Sequence, residues 1–88
     1  MTDQVAPRFA GRTALVTGSG RNIGRAIACA FAAGGANVVV NGHRDKAALD
    51  GVVAEITAAG GRAEGIMADV SSHDEVASMV RQAVDRFG

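Results

Sequence analysis

Three glycines near the start of the chain separate a short apolar run from a segment with helical periodicity. Residues 14–16 are apolar and predict a buried strand, and Gly18, Gly20 and Gly24 follow them. Glycine adopts positive φ at little cost, and the N-terminus of a helix offers free N–H groups and partial positive charge. This order of strand, glycine turn and helix therefore predicts a phosphate-binding site. The alternative is an ordinary strand–helix turn that happens to be rich in glycine.

Each glycine has its own predicted role in the turn. Gly18 ends the strand where the chain turns sharply, Gly20 lets the backbone approach a diphosphate, and Gly24 lets the helix pack closely on the strand. Glycines have these roles in dinucleotide-binding turns. The predicted buried face of the helix consists of Ile23, Ile27, Ala30, Phe31 and Gly34.

Two further strand–helix units follow. Residues 37–41 contain three consecutive valines and predict a strand buried on both faces, and residues 63–68 predict a third strand. Asp45 is a predicted N-cap, and the segment from Ser72 to Glu75 has the form of a capping box. The predicted apolar positions are Leu49, Val52, Val53 and Ile56 in the second helix, and Val76, Met79, Val80, Ala83, Val84 and Phe87 in the third.

The alternation of strands and helices predicts an α/β fold with a three-stranded parallel sheet in the order β-α-β-α-β-α, ending before a fourth strand. Residues 1–11 are a predicted tail, and residues 12–88 a nucleotide-binding part. Ligands of such sheets bind beyond the carboxyl ends of the strands. The segments 18–24, 41–44 and 69–70 follow the three strands, so we expect them to form one crevice.

The residues after the second strand indicate which nucleotide binds. An NAD site usually has an acid there to bind the ribose 2′-hydroxyl, whereas this chain has Asn41, Gly42, His43 and Arg44. Arg44 and Arg21 suit a 2′-phosphate, since arginine binds phosphate through paired charge-assisted hydrogen bonds. The pattern favours NADP(H), with NAD(H) possible. The alternative is that both arginines are solvated surface charges.

The composition limits the possible partners. With 88 residues the chain forms one small domain, and its nine basic and nine acidic residues cancel, which argues against a nucleic-acid binder. The one cysteine, Cys29, gives neither an internal disulfide nor a metal site. The polar N-terminus and the lack of a long apolar run predict a cytoplasmic protein without a membrane-spanning segment.

The glycine turn resembles that of the short-chain dehydrogenase/reductase family. The family has Thr-Gly-x-x-x-Gly-x-Gly after its first strand, and this chain has Thr17-Gly18-Ser19-Gly20-Arg21-Asn22-Ile23-Gly24. The similarity covers the chain after Phe9. It includes residues 41–44, which resemble the strand end of NADP-preferring members. The resemblance implies the N-terminal half of a Rossmann fold.

The resemblance also implies roles for single residues. Ile23 would donate its N–H to the pyrophosphate, Thr17 would brace the turn, and the carboxylate of Asp69 would accept from the adenine amino group. Asn22 replaces the middle glycine, and asparagine is the non-glycine residue that best tolerates left-handed φ. The expected cofactor-binding residues are Gly18, Ser19, Gly20, Arg21, Asn22, Ile23, Gly24, Asn41, Gly42, His43, Arg44, Asp69 and Val70.

Family members carry a catalytic Ser, Tyr and Lys beyond the length of this chain. There Tyr exchanges the proton, Lys lowers the pKa of Tyr and Ser orients the substrate. This chain has no tyrosine, and its one lysine is Lys46, so we assign no catalytic residue. The resemblance implies the cofactor-binding part of an oxidoreductase that acts on a carbonyl or alcohol, with the small-molecule substrate bound only by a full-length parent.

Two other functions remain open. In the first, the chain is a non-catalytic dinucleotide-binding module, which predicts that the isolated chain binds NADPH. In the second, it is an interaction fragment that self-associates to complete its sheet. The third helix is expected to lie on the opposite sheet face from the other two, with its apolar stripe partly exposed. This exposure favours a homo-oligomer.

Overall fold

The computed structural model describes residues 8–18 and 22–88. In this part of the chain three strands, β1 (Thr13–Val16), β2 (Asn37–Gly42) and β3 (Arg62–Met67), alternate with three helices, α1 (Asn22–Ala33), α2 (Lys46–Ala58) and α3 (His73–Phe87). The predicted order of elements is confirmed. The predicted turn residues Ser19, Gly20 and Arg21 lie outside the described residues.

The three strands form one parallel sheet in the spatial order β1-β2-β3. Thr13 pairs with Asn37, and Asn37 pairs in turn with Arg62, so the strands start level with one another. Their carboxyl ends therefore lie at the same edge, where Asn41 is in register with Ile66 and Gly42 with Met67. The predicted parallel sheet is confirmed.

Helices cover both faces of β2. Its Val38 and Val40 side chains belong to a core cluster with residues of α1 and α2, whereas Val39 belongs to a second cluster with Met79 and Ala83 of α3. All three valines are fully buried, as their apolar run predicts. The placement of α3 on the opposite face from α1 and α2 follows directly from this alternation, because successive side chains of a strand point to opposite faces.

The predicted buried face of α1 is wrong at Ile23, Ile27 and Ala30, which are all exposed. Ile23 is 76% exposed and Ile27 is also exposed, whereas Ala28 is fully buried. The helix is apolar on nearly every side, so periodicity alone did not select the face that packs. Small side chains such as Ala28 let the helix approach the sheet closely, and the isoleucines face away from it.

The strand β1 is also less buried than its apolar sequence predicts. Leu15 pairs with Val39 and lies on the α3 face of the sheet, yet its side chain is 38% exposed. The cluster beneath α3 consists of Val39, Ile66, Ala68, Met79 and Ala83, and Leu15 is not among its members. The edge strand β1 is thus only partly covered on the α3 face, while Ala14 and Val16 pack against the core cluster on the other face.

Phe9 lies against the C-terminal end of α1. Its N–H donates to the Gly34 carbonyl at 2.8 Å, and its ring lies 5.0 Å from the Phe31 ring, centroid to centroid. The Phe9 carbonyl accepts from the Arg12 N–H at 2.9 Å, immediately before β1 begins. This contact fixes the direction in which the chain enters the sheet.

Candidate functional site

The ends of all three strands meet at the carboxyl edge of the sheet, and Gly18 begins the first connection there. Its φ of +62° lies in the left-handed region, where a side chain would be strained. Among the described residues, a Cβ at Gly18 would meet nothing within 4 Å. The helix α1 starts at Asn22 and directs its N-terminus toward this edge. A glycine with left-handed φ before a helix N-terminus is typical of a phosphate-binding turn.

Asn41 joins the ends of the strands. Its Nδ2 lies 3.2 Å from the carbonyl oxygens of Ile66 and Ala68 and 3.3 Å from that of Gly42. Its Oδ1 accepts from the Gly18 N–H at 3.3 Å. One side chain therefore contacts backbone groups at the ends of β1, β2 and β3.

Gly42 is the last residue of β2 and the position at which a ribose-binding acid is expected. A Cβ there would lie 3.6 Å from side-chain atoms of Leu49, an ordinary van der Waals contact. His43 and Arg44 follow and are exposed. Within the described segment 42–45, Arg44 is the cationic side chain and no acid precedes the N-cap residue Asp45, whose Oδ1 accepts from the Ala48 N–H at 2.9 Å.

Asp69 follows β3 and faces the same corner. Its Oδ1 accepts from the Ser71 hydroxyl at 2.6 Å and from the Ser71 N–H at 2.9 Å, and its Oδ2 lies 3.7 Å from His43 Nε2. The Ser71 hydroxyl bond, the Ser71 N–H bond and the nearby His43 and Arg44 lower the pKa of Asp69. The contribution of these contacts to stability is therefore present above the unfolded pKa of about 3.9 and lost as the pH falls through the folded value.

Glu75 and Ser71 position Asp69, and sequence reasoning missed both roles. The predicted capping box is present in part, since Ser72 Oγ accepts from the Glu75 N–H at 3.3 Å. Glu75 Oε1, however, accepts from the Asp69 N–H at 2.8 Å and so connects the start of α3 to the end of β3. A serine two residues after an aspartate, as in Asp69-Val70-Ser71, was the available signal for an Asx turn.

The other predicted site residues are distributed along the same edge. Ile23 and Gly24 lie in the first turn of α1, and Val70 is exposed beside Asp69. Ser19, Gly20 and Arg21, with the proposed second arginine among them, fall outside the described residues. The structure thus brings Gly18, Gly42 and Asp69 together through the three parallel strand ends.

Within residues 8–18 and 22–88, no group of three or more His, Cys, Asp or Glu residues is arranged to hold a metal ion. In the same ranges, every helix is too short or too polar to span a bilayer. Cys29 is half-buried on α1 and packs at the margin of the larger core cluster.

A parallel sheet with helices on both faces and a glycine turn after its first strand is characteristic of the Rossmann class of α/β folds. Within that class, the chain belongs to the short-chain dehydrogenase family, whose family model, described as short chain dehydrogenase, matches residues 12–88.

Individual relatives agree with this assignment. Versicolorin reductase 1 of Dothistroma septosporum is 53% identical over 81 residues, which cover 92% of this chain and 31% of that protein. The crystal structure of a dehydrogenase/reductase from Sinorhizobium meliloti 1021 superposes with a TM-score of 0.91 at 38% identity, covering 94% of this chain and 33% of that one. A metagenomic short-chain oxidoreductase in complex with NADP gives a TM-score of 0.85 at 40% identity, covering 92% and 36%. The chain therefore spans about a third of the length of these relatives.

Proposed function

We propose that the chain is the N-terminal, cofactor-binding part of an NADP(H)-dependent oxidoreductase that interconverts a carbonyl compound and an alcohol. The observation that carries the proposal is the meeting of Gly18, Gly42 and Asp69 at one open edge of the sheet. The family membership and the NADP complex of a structural relative support it. When bound, the nicotinamide supplies or accepts the hydride.

The residues of this chain have binding roles in the proposal. The turn from Gly18 to Gly24 binds the pyrophosphate, with Ile23 donating a backbone N–H. Asp69 accepts from the adenine amino group, since an ionised carboxylate is purely a hydrogen-bond acceptor. Val70 lies against the adenine ring. Gly42, His43 and Arg44 form the corner for the ribose and its 2′-phosphate, and Asn41 lies buried behind them.

The catalytic residues belong to another part of the protein in this proposal. A full-length protein of the relatives' size would supply the Ser, Tyr and Lys implied by the family, together with the substrate pocket. The substrate is a small carbonyl compound or alcohol. The cytoplasmic location remains a prediction from the sequence.

Titration with both cofactors tests the preference for NADP(H). Arg44→Ala is expected to weaken NADPH binding about tenfold to a hundredfold, because it removes a charge-assisted hydrogen bond to the 2′-phosphate. NADH binding is expected to stay nearly unchanged, since NADH has a hydroxyl at that position. Arg21→Ala is expected to act in the same way. Dissociation constants from cofactor fluorescence in the full-length protein give the comparison.

Arg81→Ala provides the matched control, because Arg81 is exposed on α3. It removes the same charge and is expected to leave both dissociation constants unchanged. Equal weakening of NADPH and NADH by Arg44→Ala would show that this arginine does not bind the 2′-phosphate.

A second function, self-association, is favoured by one specific observation. Val80 and Val84 of α3 are exposed, Val84 by 56%, and Leu15 is exposed on the same face of the sheet. Exposed apolar side chains that share a face are typical of an interaction surface. We therefore propose that the isolated chain forms a homo-oligomer through the α3 face.

Light scattering of the 88-residue chain at high concentration tests this assembly. We expect a dimer or larger species. Val84→Asp is expected to convert it to monomer, because assembly would bury the new carboxylate in the interface without a partner. Gln82→Asp adds a charge at an exposed position of the same helix and is expected to leave the assembly intact. A monodisperse wild-type monomer would contradict the proposal.

A further inference from the structure

Asn41 is the one buried polar residue in the described part of the chain, with a side chain only 2% exposed. A buried amide is costly unless its donors and acceptor are hydrogen-bonded. An alanine or valine would fill the end of a buried strand without that requirement. The presence of an amide in this position therefore calls for a role in which hydrogen bonding is needed.

The surroundings of the Asn41 amide fix its orientation. Three carbonyl oxygens, those of Gly42, Ile66 and Ala68, lie within 3.3 Å of Nδ2, so this atom must be the NH₂ donor. The oxygen Oδ1 then faces the Gly18 N–H, which donates to it at 3.3 Å. The amide cannot be turned over, because Oδ1 would then face three acceptors.

The hydrogen bond to Gly18 reaches the first glycine of the phosphate-binding turn. Gly18 holds φ at +62°, and its N–H points into the protein toward Asn41. The same amide binds the carbonyl of Ala68, the residue before Asp69. One side chain thus connects the start of the pyrophosphate turn with the start of the adenine-binding segment.

We propose that Asn41 is a positioning residue for the cofactor site, which sets the distance between the glycine turn and the Asp69 segment without touching the cofactor. The proposal rests on the proposed function, and it separates Asn41 from the other residues of its corner. Gly42 and Arg44 distinguish the two cofactors, whereas Asn41 acts on parts that NADPH and NADH share. Replacing Asn41 therefore weakens the binding of NADPH and of NADH by the same factor.

The test compares Asn41→Ala and Asn41→Asp in the full-length protein. Both variants are expected to weaken the binding of NADPH and of NADH equally, by about tenfold, because neither side chain can connect the Gly18 N–H to the Ala68 carbonyl. Asn41→Asp keeps an acceptor for Gly18 but places a carboxylate beside three carbonyl oxygens, so it is expected to behave like Asn41→Ala. Hydrogen exchange of the Gly18 amide is expected to become faster in both variants.

Val39→Ala is the matched control, since Val39 is fully buried two residues earlier on the same strand and packs against α3. It is expected to lower Tm while leaving both dissociation constants and Gly18 exchange unchanged at temperatures well below Tm. If Asn41→Ala acted only by destabilising the fold, it would resemble this control, with a lower Tm and unchanged dissociation constants. Unequal weakening of the two cofactors, or unchanged Gly18 exchange in Asn41→Ala, would overturn the proposal.

Gly18 exchange in the wild-type protein decides the matter if both Asn41 variants fail to fold. Protection comparable to that of the β2 amides supports the positioning role, and exchange at the rate of an exposed loop overturns it. A wild-type protein that binds neither cofactor would overturn the proposed function instead. The exchange of Gly18 would then still show whether Asn41 holds the turn.

Discussion

Replacing Gly42 with aspartate is expected to reverse the cofactor preference of the full-length protein. The new carboxylate would lie at the end of β2, where an acid binds the ribose 2′-hydroxyl of NAD. It would also repel a 2′-phosphate, and such a like-charge contact costs several kcal/mol, which corresponds to weakening NADPH binding about a hundredfold or more. NADH binding is expected to improve. Dissociation constants for both cofactors measure the change.

The fold tolerates this substitution, because a Cβ at Gly42 makes only ordinary contacts with Leu49. Gly42→Asn has nearly the same shape without the charge and is expected to give an intermediate preference. Gly51→Asp is the control, because it adds the same charge on α2, where a Cβ meets nothing within 4 Å. It is expected to leave the dissociation constants of both cofactors unchanged. If Gly42→Asp weakens the binding of NADPH and of NADH equally, the end of β2 does not face the ribose.

Leu49→Ala is expected to cause the largest loss of stability. Leu49 is 1% exposed and packs in the cluster formed by α1, α2 and β2. Truncation of a buried leucine typically costs about 2–5 kcal/mol. A domain is stable by only about 5–15 kcal/mol in total, so much of the free energy of unfolding would be lost. Denaturant unfolding followed by circular dichroism measures the difference.

The side chain of Leu49 also lies below Gly42 and Gly65, and a Cβ at Gly65 would approach its Cγ to 3.4 Å. The glycines leave space that Leu49 fills, so alanine there creates a cavity beneath the ends of β2 and β3. Thr57→Ala is the control, because Thr57 is exposed on the same helix. We expect it to change stability by less than about 0.5 kcal/mol. A loss that small for Leu49→Ala would contradict the packing of α2.

The sequence predicted the architecture well where a pattern was compatible with one arrangement of buried faces or helix caps. Three consecutive valines in β2 required apolar partners on both faces, and the structure provides them. The spacing of Leu49, Val52 and Ile56 selected the buried face of α2, because these three lie on one side of the helix and the rest of it is alanine-rich or polar apart from Val53. Asp45 and Ser72 were recognised as N-caps from residue type and position.

The sequence was less informative where several faces of a helix were equally apolar, as in α1. Helical spacing placed Ile23 and Ile27 on the buried face of α1, whereas the structure buries Ala28 and exposes both isoleucines. The helix approaches the sheet through its small residues, and that choice depends on the shape of the sheet beneath it. Tertiary packing decided the face.

The arrangement of the site was only partly predictable. The meeting of Gly18, Gly42 and Asp69 followed from the parallel strand order. The hydrogen bonds of Asn41 to the ends of β1 and β3 are non-local, since these partners lie 23 to 27 residues away in the chain. Sequence pattern carries no signal for such contacts. The hydrogen bond from the Asp69 N–H to the Glu75 carboxylate was missed because the capping-box pattern directs that glutamate to a different N–H.

The division of β2 between two core clusters affects how the chain opens and assembles. The α3 cluster contains Val39, Ile66, Ala68, Met79 and Ala83, and it lacks the long aliphatic side chains of α2 that fill the other cluster. Local unfolding therefore costs least at α3, which is anchored by the smaller set of buried side chains. A neighbour that covers Val80 and Val84 would raise that cost, so association and the local order of α3 are thermodynamically linked.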